Sequence, residues 1–118
     1  MIVAALVLAT HLSIAPWKGA DPKNAIPGAT KYRLTVAGAP GARIHLDATG
    51  EADGWIAAFC TDKVCSPDRT TLDLPASGRA GIQFELVRDD ASAPVKSGVV
   101  TIHADGGARV SVPSEGRA

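Results

Sequence analysis

Aromatic residues are scarce in this 118-residue chain, at 4% of the total, and only two cysteines and one methionine occur. Excess charge is lacking as well: Lys plus Arg number 12, Asp plus Glu number 12, and the formal net charge is zero. That balance argues against the basic face with which a protein neutralises nucleic-acid phosphates, and against electrostatic binding to a membrane surface. No apolar run reaches the roughly 20 residues that a membrane-spanning helix needs, and long helical periodicity is absent. The chain has no Gly-x-Ser-x-Gly elbow, no His-Glu-x-x-His pair and no phosphate-cradling glycine loop. Gly38-Ala39-Pro40-Gly41 has the glycines of such a loop but neither a following helix nor a lysine. A non-enzyme without a cofactor is the expectation.

What the chain does have is concentrated. Gly54 to Pro67 holds both cysteines, one of two tryptophans and one of two phenylalanines, so the largest apolar groups stand beside the only possible cross-link. Length allows one domain, which buries roughly two-thirds of its unfolded surface around a single core. Twelve glycines and eight prolines, spread along the chain, suit short strands joined by turns.

The strands are legible by alternation. Lys31 to Val36 places Tyr32, Leu34 and Val36 on one face. Arg43 to Ala48 turns Ile44, Leu46 and Ala48 inward and Arg43, His45 and Asp47 outward. Trp55, Ala57 and Phe59 share a face, with Ile56, Ala58 and Cys60 opposite. Thr70 to Pro75 is a short strand ended by proline. Gly81 to Val87 is the clearest alternation, with Ile82, Phe84 and Leu86 in and Gln83 and Glu85 out. Gly98 to Ala104 and Ala108 to Val112 flank Asp105-Gly106-Gly107, a hairpin turn because positive φ is cheap there. These make seven strands, or eight with Leu12 to Ala15, and the spacing predicts an all-β sandwich of two antiparallel sheets.

Ile2 to Ala9 has the apolar character of a secretory signal, without a basic region ahead of it. Residues 1–11 are read as an apolar N-terminal segment, residues 12–113 as the sandwich and residues 114–118 as a tail. The segment is a signal remnant, an ordered first strand or helix, or a strand donated to a partner chain. An exported protein pairs its cysteines, so an extracytoplasmic setting and a Cys60–Cys65 disulfide belong together.

The succession of Pro27-Gly28, Tyr32-x-Leu34-x-Val36, Ile44-x-Leu46-x-Ala48-x-Gly50, Gly54-Trp55, Leu72-x-Leu74-Pro75, Ser77-Gly78, Ile82-x-Phe84 and Gly98-x-Val100-x-Ile102 resembles the immunoglobulin-like accessory modules of secreted bacterial and archaeal proteins. These include the alpha-galactosidase-associated type. The resemblance spans about Ser13 to Val112. It implies an immunoglobulin-like sandwich that acts as a spacer or interaction module and carries no catalytic residues. Cys60 and Cys65 are outside the usual pattern. They also differ from the antibody disulfide, whose cysteines lie on distant strands.

Three constellations carry chemistry. Cys60-x4-Cys65 suits a disulfide that pins the Thr61 to Val64 turn; redox catalysis usually uses Cys-x-x-Cys at a helix N-terminus, and a structural zinc site wants four ligands. Soft thiolates with imidazoles suit copper, so Cys60, Cys65, His45 and His103 form the one set from which a metal site can be built, against the plainer reading of two solvated histidines. Asp89, Asp90 and Asp105 lack the regular spacing of a calcium loop and read as solvated charge. Trp17, after Pro16 in a polar connection, is an interface anchor, a sugar-stacking platform or a cover for an open end of the sandwich. The expected function is a non-catalytic structural or protein-binding subunit that contacts a protein partner or a second copy of itself through Trp17 or the tip Thr61, Asp62, Lys63 and Val64. A binder of copper or carbohydrate is the alternative.

Overall fold

The computed structural model describes residues 9–20, 26, 29–50, 55–61, 63–88 and 98–114. Within them lie nine strands: β1 (His11–Pro16), β2 (Thr30–Ala37), β3 (Arg43–Thr49), β4 (Trp55–Cys60), β5 (Cys65–Pro67), β6 (Arg69–Asp73), β7 (Arg79–Arg88), β8 (Gly98–Ala104) and β9 (Arg109–Ser114). A first sheet has the order β1-β2-β7-β4-β5 and a second the order β6-β3-β8-β9, and every pairing is antiparallel. The chain is therefore an all-β sandwich, as its alternation predicts. No helix among the described residues is long and apolar enough to cross a membrane.

The strand beyond the expected eight is β5. Three residues are too short to display a period, and Pro67 discourages a strand reading. The structure tolerates that proline because β5 is an edge strand, where a missing N–H need not break a ladder. In space, β1-β2-β7-β4-β5 faces β6-β3-β8-β9. Here β3 crosses to β4, β4 turns into β5, and only then does the chain return through β6 to the side of β3.

The core lies between the inner faces. Leu34, Val36, Ala57, Phe59, Ile82, Phe84 and Leu86 from the first sheet meet Ile44, Leu46, Ala48, Val100, Ile102 and Val112 from the second. Three of the chain's five aromatic residues form one row across β2, β7 and β4, because the register sets Tyr32 opposite Phe84 and Phe84 opposite Phe59. Ring centroids are 6.4 Å apart in the first pair and 5.1 Å in the second, both tilted, a favoured geometry that adds about 0.5–1.5 kcal/mol per pair beyond area burial. The scarce large groups are thus spent at one level of the sandwich.

On the outer face of the second sheet the alternation holds to solvent. Arg43 and Asp73 are cross-strand partners joined at 2.9 and 3.4 Å, and the guanidinium holds the Asp73 carboxyl below its ordinary range. Asp105, Gly106 and Gly107 form the turn between β8 and β9, a single 3-10 turn with positive φ at both glycines.

The outer face of the first sheet departs from expectation. Gln83 and Glu85, read as solvent-facing, are 7% and 0% exposed, and Ala58 and Cys60 beside them on β4 are buried too. Two described residues of the connection between β1 and β2, Trp17 and Ile26, reach that face. Trp17 continues the pairing past Pro16 by donating its N–H to Lys31 O, and Ile26 N–H reaches the Glu85 carboxylate.

Candidate functional site

Residues Cys60 to Cys65 close the β4–β5 hairpin. The two cysteines are cross-strand partners, their Cα atoms are 4.0 Å apart, and they are joined as a disulfide. A loop this short contributes only about 2 kcal/mol through the unfolded state, so the bond chiefly fixes the tip. Thr61 does the rest. Its N–H donates to Val64 O at 2.9 Å, and its Oγ1 accepts from Lys63 N–H and Val64 N–H, each at 3.2 Å. At this tip Val64 is 58% exposed, the one large hydrophobic so exposed among the described residues. Thr61 and Lys63 are exposed as well; Asp62 lies outside the described residues.

Behind the hairpin stands a residue that alternation placed in solvent. Glu85 on β7 faces Ala58 on β4 across the ladder, and Gln83 faces Cys60. One Glu85 oxygen, Oε2, lies 3.1 Å from Cys60 Sγ. Sulfur in a disulfide carries no proton, so this is a non-bonded S···O contact in the oxidised chain and becomes a hydrogen bond when Cys60 is a thiol. The sulfurs and the carboxylate form a compact donor set, with one ligand atom from each of Cys60, Cys65 and Glu85 lying within 4.8 Å of the others. Gln83 Nε2 is buried on the same face without a hydrogen-bond partner.

Sequence reasoning missed Glu85. A signal for it exists in β4, where Ile56, Ala58 and Cys60 make the outward face apolar. An apolar outward face means that something covers it, and what covers β4 also covers the neighbouring strand.

The histidines lie elsewhere. His45 on β3 and His103 on β8 project from the outer face of the second sheet, while Cys60 projects from the outer face of the first. The structure therefore does not bring His45 and His103 to Cys60 and Cys65. His45 is engaged with Asp105, whose Oδ2 accepts from His45 N–H and contacts Nδ1, both at 2.9 Å. These contacts hold the Asp105 carboxyl below the usual aspartate value, the backbone hydrogen bond being the largest cause. His103 Nε2 is 3.1 Å from Thr49 Oγ1.

Trp17 lies against the first sheet rather than over an end of the sandwich. Its ring carries the Arg33 guanidinium 4.7 Å from the centroid, and its Nε1 donates to Ala20 O at 3.0 Å. One face of the ring is therefore occupied by this chain.

No family model matches the chain, and no curated protein matches it. Among solved structures, the copper-bound PCuAC domain from PmoF2 is similar at 15% identity, covering 96% of this chain and 94% of that one, with a TM-score of 0.36. A likeness that loose transfers neither residues nor a ligand.

Proposed function

We propose that the protein is a non-catalytic sandwich module that works outside the cytoplasm by docking its disulfide-closed hairpin into another protein. The observation that carries this reading is Val64, exposed to 58% on a tip held by the Cys60–Cys65 bond and by Thr61. Leaving an apolar side chain in water is unfavourable, and a rigid tip loses little conformational entropy when it binds. Such a tip suits an apolar pocket on a partner. The extracytoplasmic setting is supported by the oxidised cysteine pair and by the apolar run Ile2 to Ala9. Accessory modules of the immunoglobulin-like kind play the same part beside larger proteins.

The test pairs wild type with Val64→Asp. Both are expected to melt alike, because an exposed tip residue contributes little to stability. Wild type is expected to retain a protein partner from an extracytoplasmic fraction, and Val64→Asp is expected to lose it. A wild-type chain that stays monomeric and retains no protein, or a variant that retains the same partner, defeats the reading.

One observation favours small-ligand binding as a second reading, and it is the Cys60, Cys65 and Glu85 donor set rather than the cysteine and histidine set. The carbohydrate form of that reading loses ground because Arg33 already lies over the Trp17 ring.

A further inference from the structure

We propose that Cys60, Cys65 and Glu85 form a redox-gated zinc site of three protein ligands, with the fourth position left to water rather than closed by a fourth side chain, which is shut while the disulfide is intact and opens on its reduction. The site deepens the small-ligand reading and is independent of docking by Val64.

The donors come from three strands of one sheet. Cys60 ends β4, Cys65 begins β5 opposite it, and Glu85 stands on β7, the other neighbour of β4. Their ligand atoms already lie within 4.8 Å of one another. In a tetrahedral zinc site with Zn–S near 2.3 Å and Zn–O near 2.1 Å, sulfurs stand about 3.8 Å apart and sulfur and oxygen about 3.6 Å. The 3.1 Å separation of Cys60 Sγ from Glu85 Oε2 therefore needs to open by only about half an ångström. The two sulfurs, bonded to each other in the oxidised chain, have further to go, to about 3.8 Å once the bond is reduced.

Glu85 is the unusual member. It is fully buried, it accepts one backbone N–H, from Ile26, and no ion pair to it occurs among the described residues. Burial of a carboxylate is costly; Lys31 faces Glu85 in the β2–β7 register, and a divalent cation bound at the sulfurs would bring a positive charge into direct contact with the carboxylate. Two thiolates alone suit copper(I), whereas two thiolates with a carboxylate suit zinc. Gln83, in register with Cys60, adds a buried Nε2 donor without a partner.

The chemistry balances with a dithiol as reductant. It delivers two electrons and two protons to the Cys60–Cys65 bond, which becomes two thiols as the dithiol becomes a disulfide. Zinc then displaces both thiol protons to solvent and binds the two thiolates and the Glu85 carboxylate. A disulfide of the same class takes the two electrons back by exchange, leaving as the dithiol while the Cys60–Cys65 bond re-forms and the metal is expelled.

The test titrates the full chain with Zn2+ against a chromophoric chelator, and with Cd2+ to read the thiolate charge-transfer absorption, before and after reduction by a phosphine that does not bind the metal. The reduced wild type is expected to take one Zn2+ per chain and the oxidised form none. Cys65→Ser is expected to abolish binding. Glu85→Gln, which keeps an acceptor for Ile26 N–H, is expected to weaken it at least as much as the about tenfold loss that follows removal of an outer-shell partner. His45→Ala with His103→Ala is expected to change nothing. Absence of binding by the reduced chain, equal binding by the oxidised chain, or a Glu85→Gln affinity equal to wild type each overturns the proposal. The last outcome also exposes the case in which reduction unfolds the chain and two loose thiolates bind on their own.

Discussion

The backbone N–H of Ile26 donates to both carboxylate oxygens of Glu85, at 3.1 and 3.3 Å, across 59 positions of sequence. This bond ties the connection between β1 and β2 to the outer face of the first sheet. Glu85→Ala leaves the part-buried Ile26 N–H unpaired and opens a cavity, with an expected loss of about 2–4 kcal/mol. Glu85→Gln retains an oxygen acceptor and is expected to lie within about 1 kcal/mol of wild type. Urea unfolding of the oxidised proteins measures both.

Gly78 approaches the backbone of Gly38 so closely that an added Cβ meets Gly38 O at 2.5 Å, and its φ is +71°. The same pair is joined by a hydrogen bond from Gly38 N–H to Gly78 O at 2.8 Å. Gly78→Ala is expected to cost more than about 2 kcal/mol, because left-handed strain and a backbone clash act together. Gly41, at φ +74° with open space around it, isolates the first effect. Gly41→Ala is expected to cost about 1 kcal/mol. Equal midpoints for the two variants contradict the clash.

Asp68 joins the sheets at the passage from β5 to β6. Its N–H donates to Ala57 O on one sheet at 2.9 Å, and its carbonyl accepts from Ala48 N–H on the other at 2.8 Å. The bend requires φ of 64° at a non-glycine residue, which aspartate tolerates better than a branched side chain. Asp68→Val is expected to lose about 1–2 kcal/mol and Asp68→Gly to lose little or nothing. Thermal melts of the two variants rank them, and a reversed order contradicts this account.

Asp105 carries the clearest dependence on pH. Its carboxyl is held below the usual aspartate value in the folded chain by the backbone N–H and then the ring of His45. The fold thus favours the ionised form. That contribution is present in full above the unfolded value and is lost as pH falls through the lower, folded value. As pH falls below the ordinary aspartate value, wild type is expected to lose more melting temperature than Asp105→Asn. The two slopes are expected to coincide near neutrality, and parallel slopes throughout contradict the assignment.

How much of this was legible can be judged strand by strand. Alternation turned Ile44, Leu46, Phe84 and Leu86 inward, and all are in the core. It gave the Cys60–Cys65 hairpin its disulfide and its tip. It failed at Glu85, because period-two alternation separates two faces without saying which are wet. It failed at β5, which is too short to have a period.

Residue order by itself determined an all-β chain, the inner faces of β3 and β7 and the local pairing of Cys60 with Cys65, since each depends on neighbours within a few positions. Tertiary structure alone decided that Ile26 of the β1–β2 connection reaches Glu85 and that the β4–β7 pairing brings Glu85 to Cys60. It also decided that the two sheets hold Cys60 with Cys65 and His45 with His103 on opposite outer faces. Those outcomes depend on which strands pair, and β4 pairs with β7 across two intervening strands, a relationship set by packing of the whole core and invisible to any local period.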